Sequence, residues 1–394
     1  MPHRPEKVLF IWDELGRVGG VEVFLYQCLK WLPEHGLIPY VLEVGQGGGS
    51  QSNQFHLFND RIIRAPQLSN SSSNIKTSGV LNEIVKLGVR VIVLNSWEYC
   101  QILDLPSQEL KIPVIAIVHN DRDVFYENAR VLHDRVGSIV GVSERICNKL
   151  KAMVPFSRRS MVRCIPYGVE AAPPRRSWTR DRPLQLVYLG RIQQEQKRIL
   201  DLVPFVEALN SLGVDCMLNL IGDGGSSREL LNKLSERSGT VKITFLGPVL
   251  HQEAMRQLAS QDIYLLFSEF EGLPISLLEA LVRGVVPVVS QIPSGVSEIL
   301  IDSVNARIFP IGRADLAAKI VAELAQDCLQ LLRLSKAAKQ LGDKFTIEKM
   351  CAGYAELLWA TIKRGRRKRF PLALMILKRL IKEPYEFYRR ARGG

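Results

Sequence analysis

Glu271 and Glu279 stand on either side of a helix start, and Arg191 and Lys197 follow a separate apolar run that ends at Gly190. The stretch from Asp262 to Glu298 reads DIYLLFSEFEGLPISLLEALVRGVVPVVSQIPSGVSE. Asp262 to Ser268 is a short apolar run bounded by turn formers, which predicts a strand buried on both faces. Pro274 sits at a helix start, Ser276 is placed to cap it, and Gly284 follows the last turn, where a left-handed cap is expected. Val285 to Ser290 is a second β-branched run, so the whole predicts one βαβ unit. Its carboxylates then frame a helix N-terminus at the carboxyl end of a parallel strand, where open α/β sheets bind nucleotides. Arg191 offers a rigid fork of donors and Lys197 a mobile point charge, both suited to phosphate. A purely structural reading also fits: Ser276 and Glu279 have the spacing of a capping box, and Glu271 suits a solvated acid at a positive helix end.

The elements that must position these groups alternate between strands and helices. Lys7 to Trp12 reads as a first strand, Gly16 to Gly20 as a turn, Val21 to Pro33 as an amphipathic helix and Leu37 to Val44 as a strand. The segment from Gly45 to Gly79 carries GQGGGSQSNQ and SNSSSN, polar runs that favour loops. Leu81 to Leu87 reads as a helix, and Val89 to Asn95, Pro113 to His119 and Ser138 to Ser143 as strands. Alternation of this kind predicts a mainly parallel sheet with covered faces. AAPPRRSW, from Ala171, is the natural linker, and a fresh α/β series starts at Leu184. The expected organisation is a first domain over 1–172, a linker over 173–183, a second domain over 184–345, a helix over 346–363 and a tail over 364–394.

At 394 residues two domains are the prior expectation. No apolar stretch is long enough to span a bilayer, and the amino terminus reads as a strand rather than a signal peptide. Seven scattered cysteines without a C-x-x-C pair argue for a reducing compartment and against a disulfide framework or zinc site. The net charge is +12, but residues from Lys363 onward carry +10 of it. The body is therefore nearly neutral, which argues against nucleic acid as a partner. In the tail, Arg364 to Arg369 is a basic cluster, and Ala373, Ile376, Leu377 and Leu380 share one helical face beside Lys378, Arg379 and Lys382. Such a segment is expected to lie on an anionic membrane surface, making the protein cytoplasmic and peripheral at the inner face; the competing reading is a helix packed on the protein itself.

Glu271, Gly272, Pro274, Glu279 and Ala280 resemble the E-x7-E signature of retaining glycosyltransferases of family GT4, whose GT-B fold sets two Rossmann-like domains face to face across a cleft. Further segments resemble the same family: Tyr188 to Ile192 with Lys197, Ile221 to Gly224, Gly295 to Glu298, Gly19 to Glu22, His119, and Val142 with Ser143. The resemblance covers roughly residues 8 to 360 and implies that the helix over 346–363 crosses back onto the first domain. It implies a nucleoside-diphosphate sugar as donor and a glycan or lipid-linked acceptor. Arg191 and Lys197 would clamp the diphosphate, with the backbone N–H groups of Ser276, Leu277 and Leu278 aimed at it. Glu279 would take the ribose hydroxyls, and Glu271 a sugar hydroxyl, with the backbone of Gly272 and Leu273 alongside. Gly272 would let the sugar approach because it has no side chain. Gly190 and Gly222 would admit the donor close to the backbone, Gly19 and Gly20 would let backbone approach the diphosphate or the acceptor, and His119 would stand at the donor sugar. In this family the donor's own oxygen receives the acceptor proton, and cations take the place of a metal, so no metal and no cofactor are expected.

Asp121-Arg122-Asp123 has the form of a metal-binding D-x-D but lies in the wrong half of the chain, and reads as loop. Three departures bear on the resemblance: Lys197 lies one residue farther from Arg191 than is commonest, Tyr167 stands where asparagine is usual, and Ala306 where glycine is common. The competing functions are a nucleotide-sugar 2-epimerase of related fold, distinguished by nucleotide release without an acceptor, and a non-catalytic nucleotide-sugar-binding protein, distinguished by binding without turnover. A dinucleotide oxidoreductase is disfavoured, because Gly222 to Gly225 lacks the following glycine and ribose acid.

Overall fold

The computed structural model describes residues 4–16, 19–44, 53–64, 84–95, 112–174, 179, 181–237 and 239–365. The basic tail beyond Gly365, with the membrane contact expected of it, lies outside the described residues, as do parts of the expected linker and most of both polar runs.

Seven strands form the first sheet: β1 (Glu6–Trp12), β2 (Leu37–Glu43), β3 (Ile62–Arg64), β4 (Val91–Leu94), β5 (Val114–Val118), β6 (Ser138–Gly141) and β7 (Val162–Cys164). They lie side by side in the order β3-β2-β1-β4-β5-β6-β7, and every pairing is parallel. The second sheet holds β8 (Leu184–Leu189), β9 (Cys216–Ile221), β10 (Val241–Gly247), β11 (Ile263–Leu266), β12 (Val286–Ser290) and β13 (Arg307–Phe309), in the order β10-β9-β8-β11-β12-β13, again all parallel. Strands such as VIAIV of β5 and VPVVS of β12 are buried at every position, as helices on both faces require. In each sheet the strand order reverses once, between β1 and β4 and between β8 and β11. Those switch points open crevices at the carboxyl ends of the strands, and the two crevices face each other. This is the GT-B architecture.

The segment around residues 45–79 was expected to be loop. It instead contributes a 3-10 segment, Asn53–Arg61, and the edge strand β3, which pairs with Val41 to Glu43. The sequence signal is weak because an edge strand of three residues needs no long apolar run.

Numbering the helices along the chain, α1 (Gly20–Trp31), α2 (Asp123–Leu132) and α3 (Glu144–Met153) belong to the first sheet. The second carries α4 (Gln194–Lys197), α5 (Leu202–Ser211), α6 (Ser227–Ser235), α7 (His251–Ala259), α8 (Ile275–Leu281), α9 (Gly295–Ile299), α10 (Ala314–Gln326) and α11 (Cys328–Gly342). The last helix, α12 (Ile347–Gly365), returns to the first domain. Ile347, Met350, Cys351, Tyr354, Leu358 and Ile362 make its buried stripe, spaced by three and four as an amphipathic helix demands. The Tyr354 ring packs on Phe24 of α1 with centroids 5.2 Å apart.

Tyr354 is about 1% exposed, and its hydroxyl has no hydrogen-bond partner among the described residues. An unpaired buried hydroxyl costs about 1–3 kcal/mol. Tyr354→Phe is therefore expected to raise the unfolding free energy, by on the order of 1 kcal/mol; denaturant melts of the two proteins would check this, and a less stable variant would contradict it.

Candidate active site

The segments after β1, β5, β7, β8, β9, β10 and β11 converge on a cavity of about 210 Å³ between the two domains. Gly19, Gly20, His119, Gly190, Arg191, Lys197, Gly222, Glu271, Gly272, Leu273, Pro274, Ser276 and Glu279 all line it. Leu277 and Leu278 do not: both are fully buried beneath the helix start, and the Leu278 N–H bonds to the Pro274 carbonyl at 3.3 Å. The Leu278 N–H expected at the diphosphate is thus used within the helix, because α8 begins two residues earlier than a Ser276 cap implies, at Ile275 after Pro274. Pro274 is the N-cap residue and no side chain caps α8. The Ser276 hydroxyl is 2.8 Å from the Tyr264 hydroxyl instead, so the capping-box reading of Ser276 and Glu279 does not hold. Gly284 does adopt the left-handed conformation after the helix, at φ 73°.

Both glutamates are about 5% exposed, and each has its own partners. Glu271 accepts from Lys197 Nζ at 2.5 Å, from Ser268 Oγ at 2.6 Å and from Gln196 Nε2 at 3.3 Å. Lys197 reaches it because the short helix α4 absorbs the extra residue after Arg191 and is closed by Arg198, left-handed at φ 46° and held by Asp201 and Glu269. Arg191 is exposed and has no ion-pair partner among the described residues.

Glu279 meets His251 Nε2 at 2.6 Å. Sequence reasoning missed His251, which opens α7 after a different strand; only the fold brings it to Glu279. Burial alone would lower the His251 pKa, but the charge and hydrogen bond of Glu279, with Glu170 of the first domain beyond, outweigh that and raise it. Arg283 opposes the rise.

On the opposite wall, the Asn95 amide donates through Nδ2 to the Ile11 carbonyl at 3.2 Å, so its Oδ1 faces His119 Nε2, 3.1 Å away. That arrangement assigns the proton to Nε2 and leaves Nδ1 to accept from the Tyr167 hydroxyl. Desolvation pushes the His119 pKa down to about 3, so the ring is neutral with both nitrogens engaged. The Tyr167 ring lies within 3° of parallel to it, which shows what the tyrosine does in place of the usual asparagine. Glu22, from the G-G-V-E segment, also lines the cavity and accepts from Trp12 Nε1 at 3.1 Å. Asp121 is filled by Lys149 at 2.6 Å, Arg145 at 2.9 Å and the Tyr126 hydroxyl at 2.5 Å. Its carboxylate thus serves the packing of α2 and α3.

The domains touch at backbone distance beside the cavity. A Cβ on Gly272 would lie 2.1 Å from the His119 carbonyl oxygen. The expectation that the missing side chain makes room for a ligand is thus corrected: that space is taken by the other domain. Glu298 accepts from the backbone N–H groups of Glu144, at 3.1 Å, and Arg145, and so caps α3 across the cleft.

The facing α/β domains and the cation- and carboxylate-lined cavity define the class as GT-B. Residues 174–341 match the family model described as glycosyl transferases group 1. Lipopolysaccharide 1,6-galactosyltransferase of Salmonella typhimurium is 30% identical over 142 residues, which cover 34% of this chain and 38% of that protein. A glycogen synthase of Mycobacterium tuberculosis is 26% identical over 207 residues, 52% of this chain and 49% of that protein. The chain thus spans less than half the length of the curated relatives it matches. Among solved structures, Anabaena HepE in complex with UDP-glucose superposes with a TM-score of 0.73 at 16% identity, covering 90% of this chain and 99% of that one. The apo lipopolysaccharide outer core galactosyltransferase WaaB gives 0.67 at 15% identity, covering 90% and 99%. The family match lies mainly in the second domain, and the solved neighbours share the fold of both domains.

Two predictions follow from this geometry. Gly272→Ala is expected to disfavour the closed arrangement by about 1–3 kcal/mol, since backbone must move; small-angle scattering would show a more open particle, and an unchanged profile would contradict it. For His251 the folded-state pKa is raised, so its pairing with Glu279 contributes fully below the unfolded value of about 6.5 and fades as pH rises through the folded value. His251→Gln should accordingly lose on the order of 1 kcal/mol near pH 6, with the deficit closing on the alkaline side. Denaturation across pH tests this, and a deficit that grows with pH would refute it.

Proposed function

We propose that the chain is a retaining glycosyltransferase that moves a hexosyl group from a nucleoside-diphosphate sugar to a glycan or lipid-linked acceptor without a metal ion. The observation that carries this reading is the arrangement of Arg191 and Lys197 beside two buried carboxylates, Glu271 and Glu279, in one interdomain cavity. Breaking the anomeric bond leaves negative charge on the diphosphate, and stabilising that charge is the main catalytic task. Arg191 lines the cavity with no ion-pair partner among the described residues. Lys197 uses one N–H on Glu271, which fixes its position, and keeps two for phosphate oxygens.

Glu271 in turn accepts from the sugar, held in place by Ser268 and Gln196. Glu279 accepts from the ribose through the oxygen that His251 leaves open. His119 has no free lone pair and therefore shapes the sugar pocket without moving a proton; the departing phosphate oxygen takes the acceptor's proton. Gly19 and Gly20, at the start of α1, bring backbone to the opposite side of the donor.

A charge-assisted hydrogen bond lost from the transition state costs about 1.5–3 kcal/mol, or roughly ten- to a hundredfold in rate. Arg191→Ala should show that loss in kcat. Glu279→Gln should weaken nucleoside-diphosphate binding, whereas Glu271→Gln should spare it and depress transfer. Transfer should survive thorough chelation, and NMR of the product should show the donor's anomeric configuration kept. Strict dependence on added Mg²⁺ or Mn²⁺, an inverted linkage, or wild-type behaviour in both glutamate variants would each overturn a stated part of the reading.

A further inference from the structure

The first domain has a second chemical feature, at the edge of its sheet opposite the cleft. Helix α3 starts at the cleft, where Glu298 caps it, and its ten residues end at Met153. The chain then turns through a 3-10 segment, Phe156–Met161, and enters β7 at Val162. Phe156 is 83% exposed, the most exposed large apolar side chain among the described residues, and Met153 beside it in sequence is 39% exposed. The Arg159 guanidinium lies over the Phe156 ring, 5.3 Å from its centroid. From residue 145 to residue 169 the sequence holds six basic residues and no acidic one. Arg145 and Lys149 are engaged by Asp121, and Arg163 faces Glu356 at 3.8 Å. Lys151, Arg158 and Arg159 have no ion-pair partner among the described residues.

The end of α12 lies on the same side of the sheet, where the strands begin. Gly137, just before β6, lies 3.8 Å from Thr361 when given a Cβ, and β6 pairs with β7 from Ile139 and Val162 onward. Lys363 and Arg364 follow within the next turn, both exposed. The residues after 365 add ten more Lys and Arg against two Glu to the sequence.

We propose that this edge of the first domain is a docking surface for an anionic lipid bilayer, with Phe156 and Met153 entering the interface and Lys151, Arg158, Arg159, Lys363 and Arg364 facing the headgroups. Aromatic rings with a polar neighbour are suited to the bilayer interface, and unpaired cations add attraction to anionic lipid. One aromatic and one methionine are too little apolar surface for the core of a stable dimer, which favours lipid over a second copy. Because α3 runs from this edge to the cleft, attachment here leaves the cleft uncovered.

The test uses the full chain and phosphatidylcholine vesicles with and without phosphatidylglycerol. Wild type should co-sediment with the phosphatidylglycerol vesicles, with binding that falls as salt rises, and should ignore pure phosphatidylcholine. The combined variant Phe156→Ser, Arg158→Glu, Arg159→Glu should bind those vesicles at least about tenfold more weakly, while nucleoside-diphosphate affinity and melting temperature stay unchanged. In Phe156→Trp, difference emission should shift to the blue on adding the anionic vesicles. Equal binding by the combined variant and wild type would assign attachment to the tail alone and overturn the proposal. Absence of binding by wild type would also overturn it, as would self-association in sedimentation velocity that the combined variant abolishes without vesicle binding.

Discussion

The geometry of this molecule depends on two parallel sheets meeting at the carboxyl ends of their strands with backbone against backbone. Gly272 stands where a methyl group would strike the His119 carbonyl, and Gly295 where one would lie 2.8 Å from Ser143 Cβ. Glu298 then spans the gap and satisfies two N–H groups that helix geometry leaves open at the start of α3. Without that approach the two walls of the cavity would be separate surfaces. With it, groups from the segments after seven strands enclose one space.

Inside the cavity, buried charge is arranged in pairs that cross between elements. Glu271 is matched by Lys197 from α4, and Glu279 by His251 from α7. Burying a carboxylate without such partners is costly, and these contacts offset that cost while Arg191 stays exposed. Desolvation leads to the opposite result at His119, which stays neutral and serves as a fixed wall with Tyr167 and Asn95.

The two ends of the first domain carry different chemistry, and one helix connects them. The N-terminus of α3 belongs to the interdomain contact, and its C-terminus leads to an exposed aromatic among arginines. The returning helix α12 follows the same axis of organisation. It begins where Gly168 backs onto Thr346 near the cleft and ends, at Lys363 and Arg364, on the far edge.

Most of the architecture was legible in the chain because buried parallel strands require unbroken apolar runs. The runs at Lys7 to Trp12, Leu184 to Leu189 and Val285 to Ser290 could take few other forms, and turn residues after each strand located the site loops. The edge strand Ile62–Arg64 was not legible, since one neighbour and three residues leave little pattern. What tertiary structure alone decided were the pairings: His251 with Glu279, Tyr167 with His119, Glu298 with the start of α3, and the His119 carbonyl in the space beside Gly272. It also decided that Leu277 and Leu278 face the core. Sequence periodicity fixes which side of an element is apolar, but the partner of a buried polar group comes from elements tens or hundreds of residues away, and only the packing of the two sheets sets that distance.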